Sequence, residues 1–185
     1  MRATVQGSTD SILNLDAALA GKDIPSEIKK ALALVEVPYL SFEREVRRGQ
    51  LVVHSAIAGE VRHIFMQLFE RRFPIARIVP IVVYGWDDAV SMSANNTSAF
   101  NYRFIHGTHR LSNHSYGLAI DINPALNPYT QSDGVVVPSG ARYDPQEPGT
   151  ITKDIASLFK AQSWEWGGDW TRKDWQHFQR TLETK

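Results

Sequence analysis

The run Ser112-Asn113-His114-Ser115-Tyr116-Gly117-Leu118-Ala119-Ile120-Asp121 sets an imidazole and a carboxylate on either side of a glycine turn, and no other stretch constrains the chain as much. From Gly117 the residues alternate: Leu118, Ile120 and Ile122 fall on one face of a strand, and Ala119, Asp121 and Asn123 on the other. The apolar face belongs against a core, which directs Asp121 away from it. The chain therefore offers two ligands for a metal ion, His114 before the glycine turn and Asp121 on the strand that follows it. A third ligand has to come from elsewhere.

With no cysteine, thiolate metal sites and disulfides are both excluded, so His and carboxylate groups are the available zinc ligands. The chain has six histidines. His63 lies within a helical pattern and His54 at a strand end, and neither has a carboxylate or second histidine at a telling spacing. His106-Gly107-Thr108-His109 brings two imidazoles close to His114 and would allow an all-histidine site. The segment Asp174-Trp175-Gln176-His177-Phe178 is the other completion. There a carboxylate three residues before the ligand histidine can serve as general base at the same centre. In a regular strand those two side chains would face opposite ways, so this completion requires a bend or helical turn near Trp175. Having its own base, it ranks ahead of the His106 and His109 alternative.

Around these residues the pattern predicts an α+β fold, a small antiparallel sheet with helices packed against it. Pro25 and Ser26 open a short helix through Ala31, Val35, Val37 and Tyr39 alternate as in a strand, and Leu51–His54 reads as another. After Ser55, residues Ile57, Val61, Ile64, Phe65, Leu68 and Phe69 keep helical spacing until Arg71, Arg72 and Pro74 end it. Ile78–Tyr84 is β-branched despite Pro80 and reads as an edge or bulged strand. Phe100, Tyr102 and Phe104 alternate in a further strand that sets Asn101 and Arg103 on its other face. Five of the nine prolines fall between Pro124 and Thr150, which makes this a long loop with a short strand at Val135–Val137. Ile151, Ile155, Leu158 and Phe159 form a second amphipathic helix, capped by Thr150 or Thr152, and four of the five tryptophans follow between Trp164 and Trp175. No linker divides the 185 residues, so a single domain is expected, residues 1–50 supporting a catalytic core with its motifs in 95–178.

Twenty basic and twenty acidic residues cancel, so the broad positive field of a nucleic-acid binder is missing. No apolar run approaches a membrane span, and residues 1–30 carry too many polar groups for a signal-peptide core. No feature of the sequence sets an oligomeric state.

The motifs resemble those of the zinc peptidases of bacterial cell-wall peptides, the VanY-like D-alanyl-D-alanine carboxypeptidases and the L-alanyl-D-glutamate endopeptidases of phage lysins. The family pattern S-x-H-x-x-G-x-A-x-D is met by Ser112, His114, Gly117, Ala119 and Asp121, and the later E/D-x-x-H element by Asp174 and His177. The Trp166–Trp170 run, Trp-Gly-Gly-Asp-Trp, is similar to the family's lead-in, and the likeness extends from about Asn95 to Phe178.

This resemblance implies the Hedgehog/DD-peptidase fold and one zinc ion held by His114, Asp121 and His177. It makes Asp174 the base and Arg103 the group that steadies charge on the scissile carbonyl. Ser112 would contact substrate or orient the site, with Arg110 a weaker candidate for the same tasks. Asn123, Asp169 and backbone carbonyls are candidate partners for the outer ring nitrogens. The ligand set also suits non-haem iron, but Asp174 is a residue that hydrolysis needs and oxygen chemistry does not. The implied substrate is the stem peptide of peptidoglycan, with action in the periplasm or outside the cell. An aspartate base favours the L-alanyl-D-glutamate endopeptidases over the D-alanyl-D-alanine carboxypeptidases. The competing expectation is a non-catalytic, zinc-containing wall-binding module of the same fold, which would tolerate the loss of Asp174.

Overall fold

The computed structural model describes residues 7–131 and 133–182. In chain order its elements are β1 (Ser8–Thr9), α1 (Leu15–Ala18), α2 (Ser26–Ala31), β2 (Leu32–Leu40), β3 (Val46–His54), α3 (Ala58–Glu70), β4 (Arg77–Ile78), α4 (Asp88–Ser93) and β5 (Asn96–Thr97), followed by β6 (Ala119–Asp121), β7 (Tyr129–Thr130), β8 (Val136–Val137), α5 (Lys153–Lys160), β9 (Trp164–Trp166) and β10 (His177–Arg180). The protein is α+β, with small sheets and few helices.

The supporting half is built on β2 and β3, which pair antiparallel from Leu32↔His54 to Leu40↔Val46, with β1 added parallel to β3. Val35, Val37 and Tyr39 on β2 are buried with Val61, Ile64, Phe65 and Leu68 of α3 in one core cluster. Both elements thus follow the periodicity of their sequences. The three-residue 3₁₀ turn Ser55–Ile57 leads into α3.

The same cluster continues into the second sheet, of order β6-β10-β9 and antiparallel throughout. Ile120 of β6 lies opposite Phe178 of β10, which lies opposite Trp166 of β9, and all three are buried. Phe178 also stacks on Phe159 of α5, ring centroids 3.7 Å apart at 12°. This central row points to the core, so its strand neighbours Asp121 and His177 are turned to the opposite face.

Three expectations need correction. Ile78–Tyr84 is not one strand: pairing stops after Ile78, and Ile81–Tyr84 is a 3₁₀ turn between Pro80, which has no N–H to give a ladder, and Gly85 in the left-handed region. The strand through Phe100–Phe104 is absent as well. Only Asn96–Thr97 pairs in a named strand, and isolated bridges, Ser98 to Asp121 and Phe104 to Leu111, carry the extended chain beyond it. Alternation on β6 ends early, because Asn123 has a φ of 45° and is fully buried. Its amide holds Ala76, Pro74 and Gly149 together, so that strand's second face is packed with protein too.

The proline-rich stretch forms a loop around the β7–β8 hairpin, whose strand falls at Val136–Val137 within the expected Val135–Val137. α5 begins at Lys153 with Thr152 as its cap, its side chain accepting from the Ile155 N–H.

Candidate metal centre

His114 sits in a 3₁₀ turn, Asn113–Tyr116, immediately before β6. Ser112 caps that turn, its Oγ accepting from the His114 N–H at 3.3 Å, and Gly117 closes it at a φ of 66°. A side chain at 117 would be strained by that backbone, and its Cβ would also meet the His54 nitrogen at 2.5 Å. The glycine therefore lets the turn lie directly on the end of β3, where the His54 N–H donates to the Gly117 carbonyl at 2.9 Å.

Asp121 and His177 face each other as direct cross-strand partners of β6 and β10. Their separation in sequence is closed by a single register. His177 Nδ1 lies 2.9 Å from Asp121 Oδ1, His114 Nε2 lies 3.2 Å from Asp121 Oδ2, and the two ring nitrogens are 3.3 Å apart. All three residues are buried.

Each imidazole has its other nitrogen occupied. His114 Nδ1 donates to the Ala99 carbonyl, and His177 Nε2 is 3.3 Å from Gln179 Oε1. Three lone pairs therefore converge on one buried point. Donor atoms about 2.0–2.1 Å from a tetrahedral ion stand roughly 3.3 Å from one another, so this set fits zinc. In the absence of a metal ion a proton must do the bridging. Burial works to lower the His177 pKa, but the hydrogen bond and charge of Asp121 outweigh it and hold the imidazole up to about 9. Burial likewise works to raise the Asp121 carboxyl, and the two imidazoles hold it well below the usual carboxylate range.

The bend required near Trp175 is present: the chain turns at Trp175 and Gln176, and the His177 N–H meets the Asp174 carbonyl at 3.3 Å. The Asp174 segment is covered on one side by the proline-rich loop, with Thr130 N–H donating to the Lys173 carbonyl and Trp175 N–H to that of Pro128. On its other side is Gly167, where a Cβ would collide with Asp174 itself. This close approach explains the first glycine in the Trp-Gly-Gly-Asp-Trp run, and the Trp166 ring, which a Cβ at Gly168 would strike, explains the second. Covered in this way, Asp174 Oδ1 is buried without a hydrogen-bond partner among the described residues. Burial pushes its pKa up to about 6, against the pull of His177. A cleft of about 360 Å³ opens over it, lined by Ile105, His106, Tyr129, Thr130, Gln131, Trp170, Arg172, Lys173 and Asp174.

Arg103 pairs with Asp88 at 3.1 Å, and its charge is felt at Asp174. Asn101 donates to the same Asp88 carboxylate at 3.2 Å, so Arg103 and Asn101 do share a side of their segment despite its lack of regular pairing. Arg110 is exposed, as are His106 and His109, and the latter two are not brought together with His114. His63 is exposed on α3, and His54 Nδ1 accepts from the Ala56 N–H.

The backbone-carbonyl expectation is met by Ala99, but Asn123 and Asp169 do not reach the rings. Asn123 is committed to the loop contacts above, and Asp169 pairs with Lys160. The group at His177 is Gln179, which the sequence reading missed. Its signal was the spacing: in His177-Phe178-Gln179 the outer two share a strand face. The tryptophans divide between two tasks. Trp164 and Trp166 belong to the core, whereas Trp175 stacks on Tyr143 of the proline-rich loop at 3.8 Å and Trp170 stands beside His177, ring centroids 5.4 Å apart.

No curated protein matches the chain. Residues 106–180, which contain His114, Asp121, Asp174 and His177, match the model of a D-alanyl-D-alanine carboxypeptidase family, and this similarity supports a peptidase.

Proposed function

We propose that the protein is a zinc-dependent peptidase that hydrolyses stem peptides of peptidoglycan, with His114, Asp121 and His177 as the ligands of one ion. The observation that carries this reading is the convergence of three buried lone pairs beside a buried carboxylate oxygen that has no partner of its own. A ligand set closed for structural purposes has no use for such an oxygen. A hydrolytic site does, because a water there needs a proton acceptor.

When bound, zinc would supply hydroxide at neutral pH and polarise the scissile carbonyl. Asp174 takes the proton of the attacking water and returns it to the leaving amine, and a carboxyl raised to about 6 is close to the working pH that this exchange favours. Arg103, held by Asp88, stabilises the charge that develops on the carbonyl oxygen. Ser112 acts through the His114 turn that it caps. Tyr129 lines the cleft with its hydroxyl pKa pushed up by burial, so it stays a neutral hydrogen-bond donor for the peptide.

The short aspartate base favours the L-alanyl-D-glutamate bond. The family match favours a second reading, removal of a terminal D-alanine. Purified muropeptides incubated with the protein, with and without chelator, and followed by mass analysis of the new ends decide between them. If the metal-loaded protein cuts neither bond and Asp174→Ala changes nothing, the wall-binding module replaces the peptidase. The proposed substrate places the action in the periplasm or outside the cell. Among the described residues no helix is long and apolar enough to cross a membrane.

A further inference from the structure

Gln179 lies on β10 two residues beyond His177 and on the same face, opposite Glu165 of β9. Its amide is engaged on both sides. Gln179 Nε2 donates to Glu165 Oε2 at 2.7 Å, and Gln179 Oε1 accepts from Asn113 Nδ2 at 2.7 Å while facing His177 Nε2 at 3.3 Å. The orientation of this amide follows from chemistry. An ionised carboxylate can only accept, so Glu165 requires the NH₂ end of Gln179, and the Asn113 NH₂ requires the oxygen end.

With its oxygen turned to His177, the amide can only accept there as well, and the imidazole must carry hydrogen on Nε2. The lone pair then lies on Nδ1, the nitrogen that faces Asp121 at 2.9 Å. A flipped amide would set NH₂ against Nε2 and favour the opposite tautomer, with hydrogen on the nitrogen that faces the metal site.

We propose that Gln179 is a positioning residue which, held in one orientation by Glu165 and Asn113, fixes the His177 tautomer that binds metal. This rests on the reading of His114, Asp121 and His177 as a metal centre. The chain of influence begins at an exposed strand position, since Glu165 is solvent-facing while His177 is buried. Outer groups of this kind typically change metal affinity by about 10- to 100-fold.

The test measures zinc affinity of the full chain by chelator competition, together with the ¹⁵N shifts that report the His177 tautomer, read on the metal-free protein above pH 9, where the imidazole is neutral. Gln179→Leu removes the acceptor and is expected to weaken zinc binding by about 10- to 100-fold. Glu165→Gln leaves His177 and its hydrogen-bond acceptor in place but lets the Gln179 amide flip. It is expected to weaken zinc binding several-fold and to mix the tautomers, and its surface location keeps the test informative if the leucine variant does not fold. The double exchange Gln179→Glu with Glu165→Gln again presents an acceptor to Nε2 and is expected to restore tight binding. If the parent protein binds zinc and both single variants bind it equally well with an unchanged tautomer, the positioning role is wrong and the metal centre stands. If the parent protein holds no zinc, the metal centre itself is wrong, and the inference falls with it.

Discussion

On the β6–β10 side of the site each ring nitrogen turned away from the centre has a partner, Ala99 for His114 and Gln179 for His177, and the side chains project from paired strands or from a capped turn. Asp174 and Arg103, by contrast, sit on irregular chain. Asp174 Oδ1 and Arg103 Nε are both buried without a partner among the described residues. The first region is arranged to hold something in a fixed place, since rings locked on their outer edges lose little further freedom when a metal binds. The second is left with unmet hydrogen-bonding capacity, which costs stability, on the order of 1–3 kcal/mol for each such group, and which a water or a peptide can satisfy. A site for holding and a site for reacting are thus distinguishable by how completely the protein itself satisfies them.

Breaking the holding side should have the largest effect. His177→Ala removes a proposed ligand and a cross-strand partner of Asp121 together, and muropeptide cleavage is expected to fall to the uncatalysed background. Chelation of the parent protein should do the same, with one difference: added zinc restores the parent and not the variant. Full activity in His177→Ala would mean that the holding side has been misidentified.

The reacting side should separate activity from metal binding. Asp174→Asn keeps the shape of the side chain and removes the base, so cleavage should drop by about 10²- to 10⁴-fold, while zinc affinity moves little. Burial has raised this carboxyl to about 6, which means that its charged form is disfavoured in the fold. The neutral amide should therefore raise the melting temperature of the metal-free protein at pH 7.5. Lower activity with lower stability would point instead to a structural role for Asp174.

Arg103 tests the same side at a smaller scale. Loss of one group that stabilises a developing oxyanion typically lowers turnover by about 10²- to 10³-fold, and Arg103→Ala is expected in that range with kcat affected more than KM. Asp88→Asn, which loosens the 3.1 Å pair without removing the guanidinium, should produce a smaller drop in the same direction. A KM effect alone would make Arg103 a substrate clamp.

The two regions were also unequally legible in the sequence. Periodicity located β2, α3 and α5, because each buries one face against a common core and the pattern of that face is local; α2 was marked by Pro25 and Ser26 at its start, and its Ile28 packs in a separate cluster. The candidate ligands on and beside β6 could be placed for a related reason: Gly117 and the alternation after it are a local record of a turn and a strand. The cross-strand register that joins Asp121 to His177 is not local, and only the condition it imposed, a bend at Trp175, could be stated beforehand. Nothing in the order of residues announced that Asp88 would hold Arg103, or that the proline-rich loop would cover Asp174, since both depend on how irregular segments pack. Ile78–Tyr84 misled for the opposite reason. Its β-branched composition was a local signal for strand that Pro80 and Gly85 overrode.

The subtlest separation of the two regions is in the pH dependence of stability without metal. His177 is raised from an ordinary 6.5 to about 9 because its proton bridges to Asp121. A raised pKa contributes stability that is fully present below the unfolded value and is lost as pH climbs through the folded one. The window is therefore pH 6.5 to 9, and the loss across it is about 3 kcal/mol at most, at 1.4 kcal/mol per unit. Asp174 does not interfere, because a carboxyl titrating near 6 is already largely ionised when the window opens. With zinc bound, the Nδ1 lone pair belongs to the metal and there is no bridging proton left to lose. Thermal melts across this range should fall with pH in the presence of chelator and stay nearly level with zinc. A metal-free protein whose melting temperature is flat from pH 6.5 to 9 would show that no proton bridges His177 and Asp121, and that the three side chains stand further apart than the holding side requires.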